Sequence, residues 1–585
     1  GAYQKLIDYH IKYYIEHPAE AGRSTLFPDL IIDQDGSHRL SITKKAEILQ
    51  NNIFGVDVDP QAVEVSMMSL YIKALEGERT LPQNKELLPS LANNIKCGNS
   101  LIGYDFFEQQ TLIEDEERER INPFDWNSKK VGFGDIMENG GFDVVIGNPP
   151  YFNIDDTWGK GDARQRYIKH RYYSVYNDKT DILFYFLTKA VELCKGEIGV
   201  IVSRAFLEAY KADKLRSWLA GHGKIRQIID FQNYYVFDGV GITTAVLLLS
   251  KCDELEQATI HRLIAPRITS EYLAIQVNKS SLFQTFVIGQ DVFGAGPWLF
   301  APSEVNSLLQ KVDREGEAIG SILIIGQGMQ TGRNNVFGKL SKSQLDEWGV
   351  EQNQRFVRAR NSDIQRYHIH DSREMLLYLE NVRNFGLLPN GVRQYLGAHE
   401  GELKARAAYK RGDCDWWRYT WPLHKEHLLR RKLYCPYLAT FNRFAMDVEQ
   451  KYLGLTDTTV LFESEQPEDL RYFLSLLNSR LLTFRFRYIG KLKSGGILEY
   501  FWNSVSKLPI RRINFSNPED VAKHDKLVAL VDRMLELNSK KNALPPSSER
   551  ERIEREIAVT DERIDEIVYE LYGLTEEEIR VVESE

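Results

Sequence analysis

A mostly parallel, doubly wound α/β sheet is predicted over residues 1–251, followed by a second domain and a helical tail. Strands and helices alternate from Ile53 to Ser250, and several of the strands are unbroken apolar runs of the buried kind. After Cys252 that rhythm stops.

The elements follow in order. Gly1–Ile15 carries aromatic and apolar residues at helical spacing, with no capping residue ahead of them. Between Ile53 and Glu78 lie a short apolar strand, Asp59 as a helix N-cap, Pro60 at the first helical position, and a helix rich in Val, Met and Leu. Residues 143–146 form a buried-type strand ended by Gly147. A helix over Asp181–Leu193, a strand over Ile198–Ser203, a helix after Arg204, a strand near Ile228 and a strand over Thr244–Ser250 complete the alternation. Residues 252–300 read as a connecting segment, and 301–515 as a separate α/β or mainly β domain of short apolar runs and turns. Residues 516–585 form a charged, helix-favouring tail, broken at Pro545 and Pro546 and resumed at Ser548, which suggests a helical hairpin on the surface or against a partner.

At 585 residues the chain exceeds what one core can hold. No apolar run approaches the ~18 residues of a membrane span, so no membrane partner is expected. Five cysteines without CxxC spacing argue against a zinc site or a disulfide framework, and for a reduced, cytoplasmic protein. The net charge of -9 is unevenly placed. Pro546–Glu585 holds 14 acidic and 5 basic residues, whereas Arg471–Phe515 holds 9 Lys/Arg and one acid, Glu499. A strongly basic segment in an otherwise balanced chain suits a phosphate-facing surface.

The chemistry centres on Asn148-Pro149-Pro150-Tyr151, directly after the strand Phe142–Gly147. Structurally these residues make a rigid turn, because proline fixes φ. The position has a further use, since ligands in open α/β sheets bind beyond the carboxyl ends of strands. The exocyclic amine of adenine is a poor nucleophile because its lone pair is delocalised into the ring. The Asn148 side-chain carbonyl and the Pro149 main-chain carbonyl can each accept one N–H of that amine, leaving more of the lone pair on nitrogen for an electrophilic methyl. The prolines hold both acceptors in place, and Tyr151 can stack on the base. No covalent intermediate is required.

This motif resembles that of the adenine-specific amino-methyltransferases, and among them the long enzymes of Type IIG restriction–modification systems. The order of parts is similar to the family's gamma arrangement, with the cofactor region before the catalytic motif and a target-recognition domain last. The resemblance implies a Rossmann-like domain dependent on S-adenosylmethionine, double-stranded DNA as partner, and methylation of a flipped-out adenine at N6. It further implies cofactor roles for Asp57 and Val58, in Gly55-Val56-Asp57-Val58-Asp59-Pro60, with Asp57 accepting the ribose hydroxyls and Asp59 keeping the capping role. Cys97-Gly98-Asn99-Ser100-Leu101 resembles the motif that meets the cofactor adenine through Asn99, with Ser100 beside it. Phe186 matches an aromatic that packs on that adenine, and Phe237 falls where the family carries an aromatic against the extruded base. The family's first motif, a strand and glycine-rich turn ahead of the first helix, is not found. Phe293-Gly294-Ala295-Gly296 has some of its letters but leads into Pro297-Trp298 rather than a helix, so the resemblance implies an amino-terminal truncation.

In the second domain, Gly326–Asn335 offers a glycine-rich loop with Arg333, and residues 411–421 interleave Arg418 with Trp416, Trp417, Tyr419 and Trp421. Arg485, Arg487, Lys491 and Lys493, followed by Ser494-Gly495-Gly496, are the best candidates for phosphate contacts. No carboxylate pair followed by Glu-x-Lys stands in strand context, so no DNA cleavage is expected of this chain. The competing readings are methylation of a protein glutamine amide, which uses the same motif chemistry, and a non-catalytic DNA-specificity module.

Overall fold

The computed structural model describes residues 1–22, 28–78, 88–108, 120–159, 161–178, 180–232, 234–237, 239, 241–265, 277, 279–298, 300–493 and 496–584. They form two compact units: Gly1–Asp230 with Thr244–Trp298, and Phe231–Thr243 with Leu299–Glu585.

The first unit opens with helices α1 (Ala2–Glu16) and α2 (Ile42–Asn52). Then come β1 (Gly55–Asp57), α3 (Pro60–Leu75) and β2 (Ile95–Cys97). Asp59 caps α3 by accepting the Gln61 N–H at 2.9 Å, and Pro60 takes the first turn, as the spacing predicts. β1 and β2 pair in parallel as a separate two-stranded sheet.

The main sheet uses β3 (Phe142–Gly147), β4 (Cys194–Ser203), β5 (Lys224–Asp230), β6 (Thr244–Ser250), β7 (Gln257–Leu263) and β8 (Phe283–Gly289), in the order β8-β7-β5-β6-β4-β3. The α/β class holds, but the sheet is mixed rather than mostly parallel. β3–β4 and β5–β7 are parallel, whereas β6 runs antiparallel to both neighbours and β8 to β7. The apolar run Thr244–Ser250 marks a buried strand without encoding its direction. Its return beside β5 without an intervening helix sets that direction. Residues 252–300 contribute β7 and β8 to this sheet.

Helices α4 (Leu183–Leu193) and α5 (Asp213–His222) connect the strands. Side chains alternate across β4: Ile198, Val200 and Val202 are buried, while Gly199 and Ile201 are half-exposed. Val144 and Ile146 of β3 are 59% and 64% exposed, and among the described residues β3 pairs on one side only, with β4. On α3, Val65, Met68 and Ile72 form an exposed apolar stripe at helical spacing. Gly141, just ahead of β3, has φ +101°; a Cβ there would lie 2.3 Å from the Leu193 carbonyl, so only glycine lets β3 begin against the end of α4.

The second unit contains α6 (Ser303–Glu315), β9 (Ile324–Gln327), β10 (Arg355–Ala359), β11 (Met375–Leu377), β12 (Lys432–Pro436), β13 (Ala445–Met446), β14 (Tyr452–Gly454), β15 (Thr458–Phe462), α7 (Leu470–Asn478), α8 (Arg480–Arg487), α9 (Pro518–Ala543) and α10 (Ser548–Leu571). Four strands form the sheet β9-β15-β12-β13, and three form β11-β10-β14. The helical tail follows, but it is not a free surface hairpin. Leu527, Val531 and Met534 of α9 and Ile564, Val568 and Leu571 of α10 share one core with Leu470, Phe473 and Leu477 of α7. Their apolar stripe, diluted among charges, supplies that packing. In β12, the fully buried Lys432 lies 3.4 Å from the fully buried Asp447 and donates to the Leu428 carbonyl at 2.8 Å.

Candidate functional site

The β3 strand ends at Gly147, and Asn148–Tyr151 form the corner beyond its carboxyl end. Pro149 is buried and Tyr151 half-buried, while Asn148 and Pro150 are exposed. An open hollow of about 410 Å³ lies beside the corner, lined by Ile146, Gly147, Asn148, Gly199, Ile201 and Val246, among others. The Tyr151 hydroxyl lies 3.2 Å from Asn148 Oδ1 and 3.1 Å from the Ile201 carbonyl. Burial, with a smaller contribution from Asp181, pushes this phenol up to about 12, so it remains a proton donor at neutral pH.

Four cofactor candidates meet at the carboxyl ends of β1 and β2, where Asp57 pairs with Cys97 in the parallel register. Asp57 and Val58 are exposed, and Oδ1 of Asp57 accepts the Asp59 N–H at 2.9 Å. Asn99 is half-buried; its Oδ1 accepts the Leu101 and Ile102 N–H groups at 3.1 and 3.3 Å, so the side-chain carbonyl is committed locally. The Ser100 carbonyl accepts the Trp126 indole N–H at 3.1 Å. An aromatic cluster ties this strand pair to the start of β3, with Phe54 stacked edgewise on Phe133 at 5.5 Å and meeting Phe142 at 5.8 Å. Phe186 is half-exposed on α4, whereas Leu183, Phe184, Tyr185 and Leu187 around it are buried.

Other groups at the strand ends were not singled out from sequence. Buried Arg204, just past β4, donates to Asp230 at the end of β5 at 2.7 Å and pairs with Glu208 at 2.7 Å. Asp181, ahead of α4, accepts the Leu183 N–H at 2.9 Å, and burial pushes its carboxyl up to about 6. An Asp before a helix reads from sequence as a cap, which hides any second role.

Phe237 is half-buried in the 231–243 segment, which groups with the second unit. Within that unit most of the basic candidates already have partners. Arg333 pairs with Glu402 at 3.0 Å. Arg418 lies over the Trp417 ring at 4.6 Å and donates to the Val382 and Arg383 carbonyls. Both forks of Arg485 meet Asp313, at 2.7 and 2.8 Å, and Lys493 pairs with Glu499 at 3.2 Å. Arg487 is exposed. Lys491 is half-buried, and among the described residues no carboxylate pairs with it. Ser494 and Gly495 lie outside the described residues. The glycines of the 326–335 loop answer to neighbours inside the unit: a Cβ on Gly328 would sit 2.1 Å from the Leu455 carbonyl.

Residues 51–237, roughly a third of the chain, match the family described as Eco57I restriction-modification methylase. The chain is 23% identical over 635 aligned positions to the Type II restriction enzyme and methyltransferase RM.Eco57I of Escherichia coli; the alignment takes in 100% of this chain and 59% of that relative. It is 22% identical to the Type II methyltransferase M.HindII of Haemophilus influenzae, with 79% and 92% of the two chains aligned. Among solved structures, its fold is similar to that of the Type IIL restriction-modification enzyme MmeI, solved in complex with DNA, at a TM-score of 0.55 and 11% identity over 92% of this chain and 73% of that one. The chain thus spans about three-fifths of the length of the E. coli relative. The likenesses agree with one another: residues 51–237 match the Eco57I restriction-modification methylase family, and the chain is similar over most of its length to Type II restriction–modification methyltransferases.

Proposed function

We propose that the protein is a site-specific DNA methyltransferase of a restriction–modification system, transferring a methyl group to N6 of an adenine extruded from the duplex. The observation that carries the reading is the Asn148–Tyr151 corner, which stands at the carboxyl end of β3 beside an open hollow, with Pro149 buried and Asn148 exposed. Asn148 Oδ1 and the Pro149 carbonyl each accept one N–H of the amine. Tyr151 provides an aromatic face that replaces lost base stacking. No residue needs to form a covalent bond.

The residues fit S-adenosylmethionine, which when bound supplies an electrophilic methyl group. Asp57 is exposed at a strand end, and among the described residues only one of its oxygens is engaged, by the Asp59 N–H. Its other oxygen is available to a ribose diol. Val58 follows that carboxylate in sequence, Ser100 lies just past the end of β2, Asn99 offers its side-chain N–H₂ to a purine edge, and Phe186 presents a half-exposed ring. Double-stranded DNA is the partner, and the second unit is the target-recognition part. A tritiated-methyl assay with the intact protein should label adenine in plasmid DNA and leave protein unlabelled. Label on a glutamine amide instead, or tight DNA binding with no label at all, would replace this reading with one of its two competitors.

The ion pairs of the second unit rank its cations. Lys491→Ala should weaken DNA binding more than Arg485→Ala or Lys493→Ala, and should lower the slope of log affinity against log salt by about one. Arg485 and Lys493 already face carboxylates, which cancels much of the charge they offer a phosphate. A salt titration followed by fluorescence anisotropy checks this, and equal losses for all three would count against it.

A further inference from the structure

We infer that the helix Ala163–Arg171, which follows the Asn148–Tyr151 corner in the chain, is a phosphate-gripping surface of the first unit, holding the DNA backbone through Arg166 and Lys169; this rests on the DNA methyltransferase reading above. The helix carries Arg164, Arg166, Lys169, His170 and Arg171 and no acid. The fold accounts for two of those cations. Asp162 caps the helix by accepting the Arg164 N–H at 2.8 Å and pairs with the Arg164 guanidinium at 2.8 Å. Glu192 of α4 pairs with Arg171 at 3.0 Å.

Arg166 and Lys169 are different. Both are exposed, and among the described residues neither meets a carboxylate. Arg166 donates to the Gly161 carbonyl, and the Lys169 amine lies over the Tyr176 ring at 5.6 Å. A lysine in the last turn suits the helix macrodipole, whereas an arginine one turn from the amino end gains nothing from it. Folding alone therefore gives no reason for Arg166. Helical periodicity also sorts the residues into two faces. Gln165, Ile168 and Tyr172 are buried, while Arg166, Lys169 and His170 are exposed at i, i+3 and i+4. Tyr173, 76% exposed, follows at i+7, just past the helix end.

The inner face is tied to both halves of the candidate site. Phe152, the residue after the corner, stands edge-on to Trp158 at 5.8 Å, and the Arg164 guanidinium lies over the Trp158 ring at 4.9 Å. Gln165 donates to the Asp155 carboxylate at 2.8 Å. Beyond β2, the Tyr167 hydroxyl accepts the Gly103 N–H at 3.1 Å and donates to Asp105 at 2.7 Å, and the Tyr172 hydroxyl donates to the Leu101 carbonyl at 3.2 Å. The cationic stripe thus stands on a support fixed to the chain that leaves the corner and to the loop that begins with Asn99 and Ser100. A base extruded into the corner brings its own sugar–phosphate strand against this unit. Side chains three and four apart on a helix are spaced at roughly 5–6 Å, and each strand of a duplex carries a phosphate about every 3.4 Å of axis. Two long cations at that spacing reach neighbouring phosphates, setting register without reading sequence.

The test uses the intact protein and two unrelated fluorescein-labelled duplexes of about 30 base pairs, titrated by fluorescence anisotropy between ~0.05 and ~0.2 M salt. Arg166→Gln and Lys169→Gln together should cost at least ~10-fold in affinity at ~0.1 M salt, alike on both duplexes, and lower the slope of log affinity against log salt by about two; each substitution by itself should lower it by about one. Arg171→Gln, whose charge Glu192 already faces, should stay within about two-fold of wild type. An unchanged slope in the double variant overturns the inference and leaves the stripe a solvated face or a site for an acidic protein. A loss confined to one duplex overturns it as well, as does an equal loss from Arg171→Gln, which would make the effect one of net charge. Should the double variant not fold, the single variants decide; failure of all three to fold makes the stripe structural and overturns the inference. A wild-type protein that binds duplex but transfers no methyl group sinks the proposed function and leaves the phosphate contact to the slopes, whereas one that binds no duplex sinks both.

Discussion

Asn148→Ala is expected to lower single-turnover methyl transfer by about 10³-fold, the range set by removing a group that acts on the reacting atoms in the transition state. The expected change in DNA affinity is small, because one exposed side chain at a strand end adds little to a phosphate-dominated interface. The substitution should also leave the fold intact. Asn148 is exposed, and its recorded side-chain contact is the Tyr151 hydroxyl at 3.2 Å, so a stability change within about 0.5 kcal/mol is anticipated. Rapid-quench assays with tritiated cofactor, beside fluorescence anisotropy on the same duplex, separate the two effects. Undiminished turnover in the variant would remove Asn148 from the chemistry.

Lys432→Met should destabilise the second unit by about 3–5 kcal/mol, the usual cost of stranding one member of a buried ion pair. Lys432 and Asp447 are both fully buried, 3.4 Å apart. Burial pulls the lysine amine down and pushes the aspartate up, and each partner opposes the shift of the other. Asp447 also accepts the N–H groups of Lys451 and Tyr452, both at 3.1 Å, so its carboxylate cannot retreat to solvent. Adding Asp447→Asn removes the stranded charge and keeps one of the two acceptor oxygens, at the smaller cost of turning an amide N–H₂ towards one main-chain N–H. The double variant should therefore be more stable than Lys432→Met alone, and urea unfolding followed by tryptophan fluorescence would show it. If the two losses simply add, the pair is not the reason for the cost.

Local grammar was readable from the sequence. Asp59 and Pro60 announced the start of α3, Gly147 the end of β3, and the proline pair the corner beyond it. Each of those signals depends on residues a few positions apart. Long-range pairings were not readable. Nothing in Thr244–Ser250 reveals that it lies antiparallel between β4 and β5, because a doubly buried strand is apolar in either direction. Residues 257–263 and 283–289 alternate weakly and gave no strand signal until paired with one another. The basic stretch Arg485–Lys493 looked like free charge, yet Arg485 meets Asp313 across 172 positions of sequence. At the site, Asn148 and Tyr151 announced themselves by residue type, whereas Asp181 carries a signal common to many helix starts.

The single-sided pairing of β3 has a practical meaning. Among the described residues its outer edge has no partner strand, and Val144 and Ile146 are exposed along it, with the stripe of Val65, Met68 and Ile72 on α3 in the same unit. Such a rim is a template for another extended segment, and wetted aliphatic side chains favour whatever hides them, at about 1.5–3 kcal/mol for each one fully covered. A solution of this polypeptide by itself should therefore be colloidally restless, and the strand that leads into Asn148–Tyr151 is a place where unintended company can settle.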